Sequence, residues 1–284
     1  MVLTRGLGIL VLAILAISTA TPFVVWAAPA PAASIAFLRV AITALVFVAV
    51  APDALRRWWA LPARERLWVA AAGALFGAHL GVWIASLSFT SPTASVALVA
   101  TNPVFAALFG LLLGDHVRRR EWWGIVVALG GSAIIGSADW HAGGRALLGD
   151  AMALFAAALA AAYLVVGRRL RDAMPLAPYL ALVNGGGAIV LAGFVAVTGA
   201  PLIGLEPHSY AAIAGAALIA SAIGHGLLNR GVRRTPTHLV ALTILGEPVG
   251  ASLLTWALFG VAPSASAAIG GGVILVGIAL GFAA

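Results

Sequence analysis

Ser91-Pro92-Thr93 is followed nine residues later by Asn102-Pro103, and the pattern returns as Thr235-Pro236-Thr237 followed by Glu247-Pro248. The two occurrences are offset by 144 residues at the first proline and 145 at the second. His79 falls opposite His225 at 146, and Arg39 opposite Asn184 at 145. Single matches are easy in an Ala/Gly-rich chain; four that agree within two residues divide it into repeats, 1–142 and 143–284, with Gly143-Gly144 in the link Ala138–Leu147.

Outward from these stretches the chain is apolar almost throughout. Only 9% of residues are charged and 63% hydrophobic, with a mean hydropathy of +1.09. A soluble domain of this size needs more charge to cover its surface, so lipid is the expected solvent. Crossing a ~30 Å hydrocarbon core takes about 20 apolar residues as helix. Ten such runs are present: 6–28, 33–51, 67–88, 91–113, 121–138, 148–167, 177–198, 210–229, 236–259 and 265–282. A barrel would alternate in ten-residue segments instead. The first run extends to Trp26, too long for a signal-peptide core, so it reads as the first span. Five spans per half is an odd number, so the second half enters from the opposite side: an inverted-topology repeat, as in secondary transporters. Gly73, Gly77 and Gly81 have the small-xxx-small spacing of close helix contacts.

All sixteen basic residues are Arg, and they cluster between spans. With the N-terminus cytoplasmic, the inner segments hold Arg5, then Arg56, Arg57, Arg64 and Arg66, then Arg118, Arg119 and Arg120. Arg168, Arg169, Arg171, Arg230, Arg233 and Arg234 complete that set. The outer connections hold only Arg145, so fourteen stand against one, and both termini are expected in the cytoplasm. Trp58, Trp59, Trp68, Trp122 and Trp123 flank the inner loops as an interfacial belt. The basic balance therefore reads as topology and lipid contact, not as a nucleic-acid surface.

Further stretches are Ala36-Phe37-Leu38-Arg39, Thr90-Ser91-Pro92-Thr93-Ala94-Ser95 with Asn102-Pro103-Val104-Phe105, Leu148-Gly149-Asp150 with Gly167-Arg168-Arg169, and Gly246-Glu247-Pro248-Val249-Gly250. Together they resemble the EamA family of the drug/metabolite transporter superfamily, over nearly the whole chain. Asp115 stands where the family usually has Glu at the end of the fourth span, and Val261 where a second acidic residue would close the ninth. The resemblance implies an inner-membrane transporter, usually an exporter of small metabolites. The group includes amino-acid exporters, among them an aromatic amino-acid exporter called YddG.

Glu247 is the foremost candidate for substrate binding or coupling. Eleven residues into its span, it lies ~16 Å deep at about 1.5 Å per residue, where an ionisable group is costly and functional by default. Gly246 and Pro248 weaken the helix around it; the alternative is a protonated Glu that only locks packing. Asn102 also precedes a mid-depth proline, and its amide can read a polar substrate or cap freed carbonyls. His79 lies near the centre of the third span, and Trp83, one turn on, either walls a pocket for a flat side chain or packs on lipid. Arg39, about six residues from the outer end of its span, either snorkels to headgroups, holds a neighbouring helix or meets a substrate carboxylate. Asn184 and Tyr163 complete the set, and His225, near the inner end of its span, is a weaker candidate. Ser95, Thr101 and Thr243 are also polar at depth, though such hydroxyls commonly bond their own helix.

No phosphate-binding Gly-x-x-x-x-Gly-Lys-Ser/Thr loop, no His-Glu-x-x-His and no Cys is present, so neither ATP hydrolysis nor a metal or other cofactor is expected. The partners are a small-molecule substrate and membrane lipids. An intramembrane enzyme would need a nucleophile or paired carboxylates at depth, and a channel rings of like charge. A secondary transporter working by alternating access, or an uncoupled facilitator, fits the repeat better than either.

Overall fold

The computed structural model describes residues 2–112, 114–136, 144–170, 172–260 and 262–283, and every regular element among them is helical. The first half comprises α1 (Val2–Ile17), α2 (Ala20–Trp26), α3 (Ala32–Val50), the short α4 (Ala54–Ala60), α5 (Ala63–Ser86), α6 (Pro92–Val99), α7 (Asn102–Leu112) and α8 (Arg119–Gly136). The second comprises α9 (Gly144–Arg169), α10 (Leu176–Thr198), α11 (Pro207–Gly215), a π-helical segment (Ala216–His225), α12 (Gly226–Val232), α13 (Thr237–Ile244), α14 (Glu247–Phe259) and α15 (Ala265–Phe282). Proline sets many of the starts: Pro31, Pro62, Pro175 and Pro236 cap α3, α5, α10 and α13, and Pro92 and Pro207 open α6 and α11. The first helical turn leaves its N–H groups unpaired anyway, so the missing donor is harmless there.

Nine stretches among the described residues are long and apolar enough to cross a membrane, not the expected ten. The run expected at 121–138 is the difference. It folds as α8, whose first turn carries Arg119, Arg120 and Glu121 and so is too charged to qualify on composition. Val261, Arg171 and most of the central link lie outside the described residues.

Three of the spans are broken helices. α1 and α2 part at Ser18-Thr19, α6 and α7 at Ala100-Thr101, and α13 and α14 at Leu245-Gly246. A break frees backbone carbonyls, which cannot stay unpaired in lipid. At each one a threonine hydroxyl donates to the carbonyl three residues back: Thr19 to Ala16, Thr101 to Leu98 and Thr243 to Val240.

Packing is reciprocal between the halves. With the offset near 145 residues, α5 corresponds to α11–α12, and α9 to α1–α2. Correspondingly, α5 packs on α9 while the π-helical segment packs on α1. Likewise α10 packs on α5 while α3 packs on the π-helical segment, α7 packs on α13 while α14 packs on α6, and the corresponding pairs α3 with α10 and α8 with α15 pack on each other. Glycine allows the closest of these approaches. A Cβ on Gly77 would stand 2.6 Å from the Gly187 carbonyl oxygen, and one on Gly131 2.5 Å from that of Gly270. Gly124 meets Gly277 and Gly281 farther along the same pair, so α8 runs antiparallel beside α15.

Contacts between connections sort them into two ends of the bundle. At one end Arg168 pairs with Asp115, Arg169 lies over Trp68, His238 meets Glu121, and Arg233 donates to the Met174 carbonyl. At the other, Ser34 donates to the Pro201 carbonyl, Thr90 to Asp150, His208 reaches the Ala28 carbonyl, and Arg145 lies over Phe89. The first end gathers the Arg-rich connections, in the grouping that the Arg distribution anticipates.

Candidate functional site

The three breaks converge on one cavity. The residue before and the residue after each break line it: Ile17 and Ala20, Val99 and Asn102, Ile244 and Glu247. Arg39, His79, Trp83, Tyr163, Leu164 and His225 contribute further wall. The lining comes in repeat pairs: His79 with His225, Asn102 with Glu247, Val99 with Ile244. The cavity is about 50 Å³, room for a few waters and less than a metabolite needs.

His79 Nδ1 lies 2.9 Å from the Ala156 carbonyl oxygen. A carbonyl only accepts, so Nδ1 carries a hydrogen. Phe76 sits between the two sides, packing edge-on to His225 and tilted against Tyr163. Asn229 donates to the Tyr163 hydroxyl and to the His225 carbonyl, fixing the phenol in the wall. Asn102 and Glu247 each open the helix after a break, where the N-terminal dipole favours negative charge. Ser18 Oγ, which donates to the Ile14 carbonyl at 2.7 Å, also lies 3.2 Å from the Glu247 carbonyl oxygen, so the α13–α14 break sits beside the α1–α2 break.

Arg39 differs most from its sequence reading. It is 0% exposed and reaches inward, so the snorkelling alternative fails. Its Nε donates to Ser221 Oγ at 2.8 Å and its guanidinium lies 5.9 Å from the centre of the Trp83 ring. The two terminal nitrogens have no hydrogen-bond partner among the described residues. Arg39 and Glu247 both line the cavity, and no ion pair joins them among the described residues.

A sequence profile of the EamA-like transporter family matches residues 4–137 and, a second time, residues 147–282. The chain belongs to this family. No curated protein matches it. A solved structure described only as "Crystal structure of protein" is similar over 98% of this EamA chain and 96% of its own length, with a TM-score of 0.81 and 21% sequence identity. At that identity the likeness concerns the fold alone.

Of the residues singled out in this EamA sequence, the structure brings together Glu247, His79, Asn102, Trp83, Arg39 and Tyr163 around the cavity. Trp83 is buried and does not pack on lipid. Asn184 stays apart, its amide donating to Leu180 in its own helix, so the repeat partner of Arg39 does not reach the cavity. His225 joins the lining, as its correspondence with His79 hinted. Ser95 bonds Ser86, while Thr101 and Thr243 bond their own backbones. Ser221 carried no sequence signal, because its role depends on a contact 182 residues away. Among the described residues no group of acidic, His or Cys side chains is arranged to hold a metal ion.

Proposed function

We propose that this EamA protein is a secondary transporter of the inner membrane that exports small metabolites by alternating access. Ten spans form two inverted repeats, 1–142 and 143–284, with both termini cytoplasmic and the link between them periplasmic. α8 serves as the tenth span. Its length equals that of α15, which it accompanies antiparallel, and its charged first turn sits at the Arg-rich end. The observation that carries the reading is the cavity, built from corresponding positions of the two repeats at helix breaks. Broken helices facing a shared cavity are how inverted-repeat transporters hold polar groups at the bilayer midplane. Rocking one repeat against the other opens that cavity to each side in turn.

Amino acids, aromatic or otherwise neutral, are the substrate class the reading favours, as in YddG-like exporters. Trp83 offers a flat wall, while Arg39 and Glu247 offer one charge of each sign. The cavity's lining contains a single carboxyl group, Glu247. That favours as second reading a facilitator driven by the substrate's own gradient, and gives an intramembrane hydrolase no paired carboxylates to work with. Comparison of intracellular and extracellular metabolites between cells overexpressing and lacking the protein tests the function. A defined set of small solutes should move outward with expression; identical profiles would refute export.

A further inference from the structure

The π-helical segment holds α3 through the Arg39 side chain, whose Nε donates to Ser221 Oγ at 2.8 Å. Four residues on, the single Thr43 hydroxyl hydrogen is shared between the Arg39 carbonyl oxygen of its own helix at 2.8 Å and the Ala217 carbonyl oxygen at 3.2 Å. Ser221, Thr43 and Arg39 are all fully buried. A π-helical register shifts the residues after it around the axis relative to an α-helix, and such segments recur at functional sites. Here the shift coincides with the stretch that supplies both Ser221 and, at its end, the cavity residue His225.

A guanidinium can receive a carboxylate side-on, through Nε and one terminal nitrogen, or end-on, through both terminal nitrogens. Ser221 occupies Nε, which closes the side-on mode, and Trp83 covers one face. The end-on pair remains, buried and without a protein partner among the described residues, in a cavity wall. We propose that Ser221 is a positioning residue that aims Arg39 as an end-on subsite for the carboxylate of an organic acid. The inference deepens the transporter reading by assigning the substrate's charged group, yet it is tested by binding alone.

Purified full-length protein is titrated with acetate and benzoate, and separately with methylammonium and benzylammonium, at constant ionic strength. Thermal unfolding and tryptophan fluorescence report binding. Both carboxylates should raise the unfolding midpoint and neither amine should. Ser221→Ala should weaken carboxylate binding by about tenfold, through loss of one hydrogen bond to a charged group, and Ser221→Thr should restore it. In an Arg39→Lys background, Ser221→Ala should add nothing, because an ammonium has no fork to aim. That background keeps the test available if the single Ser221→Ala protein unfolds. Equal stabilisation by the amines, no response to either carboxylate, or unchanged carboxylate affinity in Ser221→Ala would each overturn the assignment. Failure of the transporter reading is seen separately, in the metabolite comparison.

Discussion

Arg168 Nη1 stands 2.6 Å from Asp115 Oδ2, joining the last turn of α9 to the segment that follows α7. The pair links the two repeats at the Arg-rich end of the bundle, each side chain about a quarter exposed. Beside it His238, at the start of α13, meets Glu121, in the first turn of α8, at 3.1 Å. Glu121 also accepts from the Arg118 backbone N–H, so its carboxylate is fixed from two sides. These contacts join the two repeats at that end of the bundle, and under the proposed alternating access an opening there would break them.

Asp115→Asn should therefore weaken closure by roughly 1 kcal/mol, the upper range for a partly exposed pair. Exchanging the two, Asp115→Arg with Arg168→Asp, should recover part of the loss. Transport rates and thermal midpoints of the single and double variants form the cycle. Additive effects would mean that the contact does not couple the repeats.

Close helix contact should be intolerant at some glycines and indifferent at others. Gly77→Ala places a methyl against backbone of α10, costing about 1–3 kcal/mol by overpacking. Gly185→Ala meets nothing within 4 Å and should be neutral. Membrane abundance and unfolding temperature of the two variants separate the outcomes. A stable Gly77→Ala protein would show that α5 and α10 are not packed as described.

Orientation is testable with a reporter active only in the periplasm. Fused after Gly204, at the Arg-poor end, it should be active; fused after Pro62, among the Arg-rich connections, it should be silent. The reverse pattern would invert the assignment of the two ends.

Glu247→Gln should keep the shape and hydrogen bonding of the wall while removing its only carboxyl group. In proteoliposomes, the variant should still move a substrate down its gradient. If transport is proton-linked, dependence of flux on an imposed pH gradient should be present in the wild type and absent in the variant. Wild-type flux indifferent to that gradient would identify a facilitator.

Much of this was legible because lipid leaves few options for backbone and charge. The apolar runs anticipate the helices, and the prolines of the repeated motif anticipate two of the three breaks. The break at Ser18-Thr19 also precedes a proline, Pro22, but that proline stands outside the repeated motif. Residue count along a helix gives depth but not the face presented, and so left Arg39 undecided between headgroups and interior. Its direction follows from Ser221 and Trp83, which lie on other helices. α8 departs from the expected apolar span because its helix begins at Arg119, so its first turn holds three charges. Asn184 shows that a sequence repeat need not preserve a site: with no partner across the cavity, it bonds its own helix.

The most direct test of alternating access uses the absence of Cys from the chain. Cysteine is introduced singly at Val99 and at Ile244, the repeat pair flanking two breaks, with Phe155, exposed on the apolar exterior, as control. Right-side-out and inside-out vesicles are treated with a membrane-impermeant maleimide. Val99→Cys and Ile244→Cys should each react from both sides, Phe155→Cys from neither, and the vesicles should remain tight to the reagent throughout. Reaction at the two cavity positions from one side only, or from neither, would contradict the account.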